Sequence, residues 1–367
     1  MATVSGGVLT QEFEIVGGTG SSSFEDILAS FGGSLGETSG ETVEVTTTSR
    51  ATGGAVELLS TEGATVETQG DATIVKAPVT SATGASVEAT VVAVAGTGAE
   101  ATVTVSVGGV EAAITVPAGA TISGQGAKTT TENANQLAQE FVADLARSFG
   151  LSDESSAGVR DAYNKTIAAV AAKLEGVADS VAVALYSLGT NSDTRAVGDI
   201  TIAGTAAAEG EAGINVLDML EVDAGVAVNV SNMDNILLVG AGELVVTDNT
   251  DTSVYGDAFD QMIAGGTGND TLVGGGGTDS LMGGSGDDQF GFNSVSHFVI
   301  EDFTAGDDSF NFGFGNINSL EELLPFLTSA ENVDGNAVYT FLDGDASITL
   351  TGVTTDEVTE AMLNFDL

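Results

Sequence analysis

Polar and apolar residues alternate in the first third of the chain. Thr42-Val43-Glu44-Val45 and Glu100-Ala101-Thr102-Val103-Thr104-Val105-Ser106-Val107 carry the two-residue period of half-buried strands. Gly108-Gly109, between Val107 and Val110, reads as a two-residue hairpin turn. Residues 41–128 are therefore expected to form a mainly antiparallel β domain with solvated threonine-rich faces. Residues 1–40 are rich in Gly and Ser and predict an arm or loose strands. From 129 to 195 the period lengthens. Leu137, Phe141 and Leu145 recur every four residues, flanked by Val142 and Phe149, with Thr129 and Glu132 suited to a capping box and Gly150 to a stop. A second helix follows Ser152 on the stripe Val159, Tyr163, Ile167, Val170 and Leu174, stopping near Gly176, and helical character is expected to reach residue 188. These stripes predict helices packed on the β layers.

After residue 196 short apolar pieces recur: Ile200-Thr201-Ile202, Ile236-Leu237-Leu238-Val239 and Leu244-Val245-Val246. Val245, Val254, Ile263, Leu272, Leu281, Phe290 and Val299 then lie nine residues apart. A fixed short period means stacked coils, each burying one residue per half-turn, so residues 196–300 predict a β-roll. In residues 301–367 the pattern predicts a helix from Ser319 to Leu327. A hairpin of Ala337 to Leu342 with Ala346 to Val353 and a last helix from Thr355 to Leu363 follow. The fold class expected is mainly β with a helical segment: an N-terminal antiparallel β domain, central helices and a C-terminal parallel roll.

Charge changes this picture. The chain has 367 residues with 53 acidic and 8 basic side chains, a net charge of −45. Such a surface does not bind nucleic acid or an anionic membrane, which both demand Lys and Arg. The last basic residue is Arg195, and beyond it stand 30 Asp and Glu with no Lys or Arg. Folding of that half works against self-repulsion, which bound divalent cations would relieve. Adaptation to high salt is the alternative source of the acidity and is compatible with cation binding. There is no Cys, so disulfides are absent. The first residues carry no basic, apolar leader pattern, and the most apolar stretch, Ile167 to Leu188, is interrupted by Lys173, Glu175 and Asp179 and does not read as a membrane span.

Three consecutive nonapeptides match G-G-x-G-x-D-x-U-x, where U is large and apolar: Gly265-Gly266-Thr267-Gly268-Asn269-Asp270-Thr271-Leu272-Val273, Gly274-Gly275-Gly276-Gly277-Thr278-Asp279-Ser280-Leu281-Met282 and Gly283-Gly284-Ser285-Gly286-Asp287-Asp288-Gln289-Phe290-Gly291. Glycines permit the positive φ angles that turn successive carbonyls toward one ion, and a hard cation such as Ca²⁺ takes six to eight oxygens. This block resembles the RTX (haemolysin-type) calcium-binding repeat. The resemblance implies a right-handed parallel β-roll with Ca²⁺ between the loops of repeats n and n+2. The ion is held by the carbonyls at positions 2 and 4 and the Asp of repeat n, with the carbonyls at positions 1 and 3 and the Asp of repeat n+2. Carried onto this chain, one site is complete: Gly266, Gly268 and Asp270 with Gly283, Ser285 and Asp288. A second pairs Gly274, Gly276 and Asp279 with Asp257, Phe259 and Gln261, glutamine standing in for aspartate. A weaker third pairs Gly265, Thr267 and Asp270 with Asp248, Thr250 and Thr252. A slot pairing Gly275, Gly277 and Asp279 with Phe292, Ser294 and His297 is expected to be empty. The segment 301–367 is similar to the C-terminal secretion region of type I substrates, which implies a type I exporter as partner and folding on Ca²⁺ outside the cell.

Catalytic patterns are sparse. H-E-x-x-H is absent, and His297 is the single histidine, which excludes a two-His metal site. Gly32-Gly33-Ser34-Leu35-Gly36 matches G-x-S-x-G, but a serine nucleophile needs a His base, and in so glycine-rich a chain the match is expected by chance. Paired carboxylates for glycosidase chemistry are available, yet there is no Trp and only four Tyr to stack on a sugar. The leading expectation is a non-enzymatic structural or adhesive protein outside a bacterial cell, a component of a surface layer, filament or biofilm matrix. Its partner would be itself or the cell surface, and residues 1–40 could join subunits by strand addition. A secreted hydrolase with an unrecognised N-terminal domain and a monomeric adhesin or effector are the alternatives.

Overall fold

The alternating Thr/Val segments pair as antiparallel strands. The computed structural model describes residues 100–148, 153–190 and 198–365 apart from 119, 207, 209 and 314–316, and the strand segments 14–15, 45–47, 59–61, 65–69, 72–80 and 86–94. Ser34, most of the arm at 1–40 and the alternation at 42–44 lie outside the described residues. The chain falls into two units, Met1–Val197 and Gly198–Leu367.

In the first unit β1 (Glu14–Ile15), β2 (Val45–Thr47) and β3 (Leu59–Thr61) make a small antiparallel sheet. β4 (Thr65–Gln69), β5 (Ala72–Thr80) and β6 (Ser86–Val94) follow, then the hairpin of β7 (Glu100–Val107) and β8 (Val110–Pro117), and β9 (Ala120–Thr129). Strands β4, β5, β6 and β9 pair antiparallel in that spatial order. Gly108 and Gly109 have φ of 64° and 79°, the doubly left-handed turn that matches strand twist. Ala101, Val103, Val105 and Val107 are buried while Thr102 and Thr104 face water, as the period requires. A Cβ at Gly126 would lie 2.6 Å from the Cα of Gly108, so glycine on β9 is what lets the hairpin turn sit against it.

Helices α1 (Thr131–Ser148) and α2 (Asp153–Leu174) pack on each other, with Leu137, Phe141, Val142, Leu145, Ile167 and Val170 buried. Two expectations are corrected here. The capping hydroxyl is that of Thr130, which accepts from Asn133 N at 3.5 Å, in place of Thr129. Residues 180–188 are not helical: β10 (Ser180–Thr190) pairs antiparallel with β9. Val181 to Tyr186 are buried on both faces of that strand, and a doubly covered strand loses the two-residue period that identifies it in sequence.

The second unit is a two-sheet parallel coil. Successive strands alternate between the sheets. The first sheet holds β12 (Glu211–Glu221), β14 (Asn235–Val239), β16 (Ser253–Tyr255), β18 (Thr271–Val273), β20 (Gln289–Phe292), β22 (Ser309–Phe312) and β26 (Leu363–Asn364). The second holds β11 (Ile200–Gly204), β13 (Ala227–Ser231), β15 (Gly242–Val246), β17 (Gln261–Ala264), β19 (Thr278–Met282), β21 (His297–Ile300) and β25 (Ala346–Leu350). β24 (Asn336–Phe341) and β23 (Leu327–Val333) extend that second sheet antiparallel.

Register fixes the core. Ile236, Val254, Leu272 and Phe290 align in one sheet and Leu244, Ile263, Leu281 and Ile300 in the other, all fully buried. The strict nine-residue period holds only from Val254 to Phe290. At its ends the buried positions are Leu244 and Ile300, while Val245 and Val299 are half-exposed. The flanking coils contain an extra residue, and one residue of slip moves a strand side chain to the opposite face. Past β20 the interior is closed by phenylalanines: Phe303 stacks on Phe310 at 4.5 Å, and Phe292 meets Phe298 edge-on at 4.8 Å. The C-terminal helices are shorter than expected. α3 is Leu320–Leu323, capped by Ser319, and residues from Leu327 are strand. The expected helix at 355–363 is a turn with one 3₁₀ segment, Glu360–Met362.

The slip makes a discriminating prediction. Leu272→Ala should destabilise the folded chain by about 2–5 kcal/mol, the usual cost of a buried Leu→Ala cavity. Val299→Ala should cost about 1 kcal/mol or less, near the range of surface changes. Urea unfolding at saturating Ca²⁺ measures both, and equal costs would contradict the register.

Candidate metal centre

Loops between the sheets stack along the two edges of the roll. One edge carries residues 247–252, 265–270, 283–288 and 301–308; the other carries 256–260, 274–277 and 293–296. On the first edge Asp270 Oδ1 accepts from Thr252 N at 2.8 Å, Asp288 Oδ1 from Asp270 N at 2.9 Å, and Asp308 Oδ1 from Asp288 N at 3.0 Å. Each carboxylate thus fixes the loop before it. Loops 265–270 and 283–288 also exchange Ser285 N to Gly266 O at 3.0 Å and Gly268 N to Ser285 O at 2.9 Å. The expected complete set of Gly266, Gly268, Asp270, Gly283, Ser285 and Asp288 is therefore brought together in adjacent parallel loops. Gly284 and Gly286 have φ of 100° and 143°, and a Cβ on either would collide with the carbonyl of Gly266 or Gly268.

On the second edge Gln261 N donates to Asp279 Oδ1 at 2.9 Å and Gly276 N to Asp257 O at 2.5 Å, which joins Asp257, Gln261, Gly274, Gly276 and Asp279 in one pair of loops. The Phe259 side chain points to solvent, so only its backbone is available there.

Among the described residues, three buried side-chain oxygens or nitrogens lack a hydrogen-bond partner: Gln261 Oε1, Asp270 Oδ2 and Asp279 Oδ2. Asp270 lies in the loop 265–270, and Gln261 and Asp279 stand at the start of the strands that follow the second-edge loops. A buried acceptor without a donor costs about 1–3 kcal/mol, and more when charged. With neither Lys nor Arg beyond Arg195, the missing partner is not a basic side chain of the roll. No cluster of three or more His, Asp or Glu exists among the described residues, so carbonyls must supply most ligands. Few carboxylates and many carbonyls suit Ca²⁺. The residues fit the ion.

Burial pushes Asp270 and Asp288 up to about 6 and Asp279 up to about 7; facing carboxylates add to this, while backbone N–H donors oppose it. Since these values are raised above that of an unfolded Asp, the groups stabilise the ion-free fold at acid pH. That contribution is lost as pH rises through about 6 to 7.

Two expected slots have side-chain hydroxyls on their carbonyls. At the weaker third site Thr267 Oγ1 donates to Asp248 O at 2.9 Å and Thr252 Oγ1 to Thr250 O at 3.2 Å. At the slot beside Gly275, Ser296 Oγ donates to Gly275 O at 2.8 Å, Ser294 Oγ donates to the same oxygen, and His297 N donates to Gly277 O at 3.0 Å. An extra residue in that coil puts Phe298, not His297, opposite Asp279. His297 is exposed on β21, with Nδ1 2.9 Å from Ser347 Oγ. Asp302 and Asp308 were not singled out from the sequence. Asp302 accepts from Gly283 N at 2.9 Å and Gly284 N at 2.8 Å, and Asp308 continues the carboxylate ladder two residues later than the nonapeptide spacing predicts.

Asp270→Ala and Asp288→Ala should each raise the Ca²⁺ concentration for folding by at least the roughly 10–100-fold that loss of an outer-shell partner costs. Circular dichroism against free Ca²⁺ measures this, and normal folding of both variants in chelator would refute the assignment. Ion-free stability should fall between about pH 4 and pH 7, whereas Ca²⁺ affinity should rise over the same range, because protons compete for the same oxygens. Thermal melts with and without chelator read both trends.

The RTX calcium-binding nonapeptide repeat model matches residues 255–290 in four copies. Among solved structures, the AlgE6R3 subunit from the Azotobacter vinelandii mannuronan C5-epimerase is 23% identical, over 33% of this chain and 81% of that one, with a TM-score of 0.22. No curated protein matches the sequence. The stacked glycine–aspartate loops at 255–290 match RTX calcium-binding nonapeptide repeats, and these repeats mark the chain as Ca²⁺-binding.

Proposed function

We propose that this protein is an extracellular structural or adhesive component, exported by a type I system and locked in its folded form by Ca²⁺. Its partner is a second copy of itself or a component of the cell surface or matrix. The observation that carries this reading is the state of the sheet edges. β23 ends its sheet with Ala330 to Val333 exposed, and no described strand pairs with its outer side. β4 and β7 end the sheets in the first unit. An open edge of unpaired N–H and C=O groups is a template for another strand.

Composition supports export before folding. Thirty carboxylates in a segment that contains no Lys or Arg repel one another and keep the second unit loose where Ca²⁺ is scarce, and Ca²⁺ binds the folded form outside. Among the described residues no helix is long and apolar enough to cross a membrane.

Light scattering and electron microscopy of the full chain in millimolar Ca²⁺ and in chelator test the reading. Calcium-dependent polymers are the expected result. A monomer under every condition would remove the polymer reading and favour a monomeric adhesin or a secreted hydrolase. Assembly that survives deletion of residues 1–25 would place the contact on the described edges and away from the N-terminal arm.

A further inference from the structure

The second-edge site contains a substitution that the repeat pattern does not provide for. Where the repeat has aspartate the chain has Gln261, and where it has glycine at the second position the chain has Asp257. The two departures are in contact. Gln261 Nε2 donates to Asp257 Oδ1 and, at 3.2 Å, to Gly240 O. A carboxylate and a carbonyl on one side of the amide fix its orientation, because only the NH₂ end can donate to them. Gln261 Oε1 therefore faces the other way, into the slot, where it is buried without a partner beside the equally unpartnered Asp279 Oδ2. Gly256 leaves room for that oxygen and for Gly274 O, since a Cβ there would collide with both.

Asp257 is 7% exposed, and its carboxylate is held by three donors: Gly240 N at 2.8 Å on Oδ2, and Phe259 N at 2.8 Å together with the Gln261 amide on Oδ1. Its backbone carbonyl is the part that faces the opposing loop, accepting from Gly276 N.

We propose that Asp257 and Gln261 act together as a relay that replaces the missing carboxylate of this Ca²⁺ site. The amide oxygen of Gln261 is the ligand. The Asp257 carboxylate, one hydrogen bond behind it, polarises the amide and supplies the negative charge from outside the ligand shell. Asp257 is a positioning residue, and glutamine is required at 261 because a second carboxylate there would lie against the first. This rests on the calcium reading of the repeats and adds to it the identity and charge arrangement of one site.

The test is a double-mutant cycle on the full chain, with the free Ca²⁺ concentration at half-folding read by circular dichroism. Gln261→Ala and Asp257→Asn should each raise that concentration about tenfold, within the range seen for outer-shell partners. The Asp257→Asn/Gln261→Ala double variant should be no worse than the poorer single variant, because both remove one unit. The charge-moved pair Asp257→Asn/Gln261→Asp should return to wild-type affinity or better, while Gln261→Asp alone should not. A merely structural role for Asp257 predicts no such rescue. A charge-moved pair as weak as Asp257→Asn alone, or singles that add, would overturn the relay, and should Asp257→Asn fail to fold, the charge-moved pair still decides. If Asp270→Ala weakens Ca²⁺ binding and Asp257→Asn does not, the relay alone is wrong; if the wild-type chain binds no Ca²⁺, the underlying calcium reading is wrong.

Discussion

Asp270, Asp279 and Asp288 are each about 1% exposed in a half of the chain that contains no lysine and no arginine. A buried carboxylate ordinarily rests on a basic partner or stays protonated. Here each aspartate places one oxygen on a backbone N–H of the neighbouring loop, and Asp270 and Asp279 leave the other buried with no donor. Those bonds hold successive coils at a fixed spacing, so the same side chains that create the electrostatic cost also create the stack. A divalent cation between loops converts that cost into cohesion. Ligands of this kind do not exist together in the unfolded chain, so a bound ion would add to the stability of the folded roll.

The ion array is bounded by ordinary hydrogen bonds. Thr252 and Thr267 satisfy carbonyls on one side, Ser294 and Ser296 do so on another, and Asp302 and Asp308 take the N–H groups of the last glycine loop. Beyond these points the roll is held by its apolar interior, aliphatic through the repeats and aromatic past Phe290. The change follows from coil length. The regular repeats bury one aliphatic or aromatic residue per half-turn. The longer coils after Phe290 bury Phe292, Phe298, Phe303, Phe310 and Phe312.

The roll, its nine-residue core from Val254 to Phe290 and the stacking of the glycine–aspartate loops were legible in the sequence because each is local and periodic. A motif of nine residues that repeats without interruption fixes both the side-chain face and the loop chemistry, and no distant contact can alter that. Threonine–valine alternation and Gly108-Gly109 were legible for the same reason. Legibility failed where a partner overrides the local pattern. β10 reads as a continuation of the helices because its apolar run is covered on both faces. Val245 and Val299 read as core because the period alone does not reveal one extra residue in a coil.

What the sequence determined by itself is therefore the existence of the roll, its ion chemistry and the charge imbalance that a cation would relieve. Tertiary structure decided which slot carbonyls also accept from side-chain hydroxyls. That depends on which residue the next coil brings opposite them, and that register is set by coil length, not by the motif. It also decided that Asp257 and Gln261 meet. Each alone departs from the repeat, and only the turn of the loop places the amide between a carboxylate and the slot.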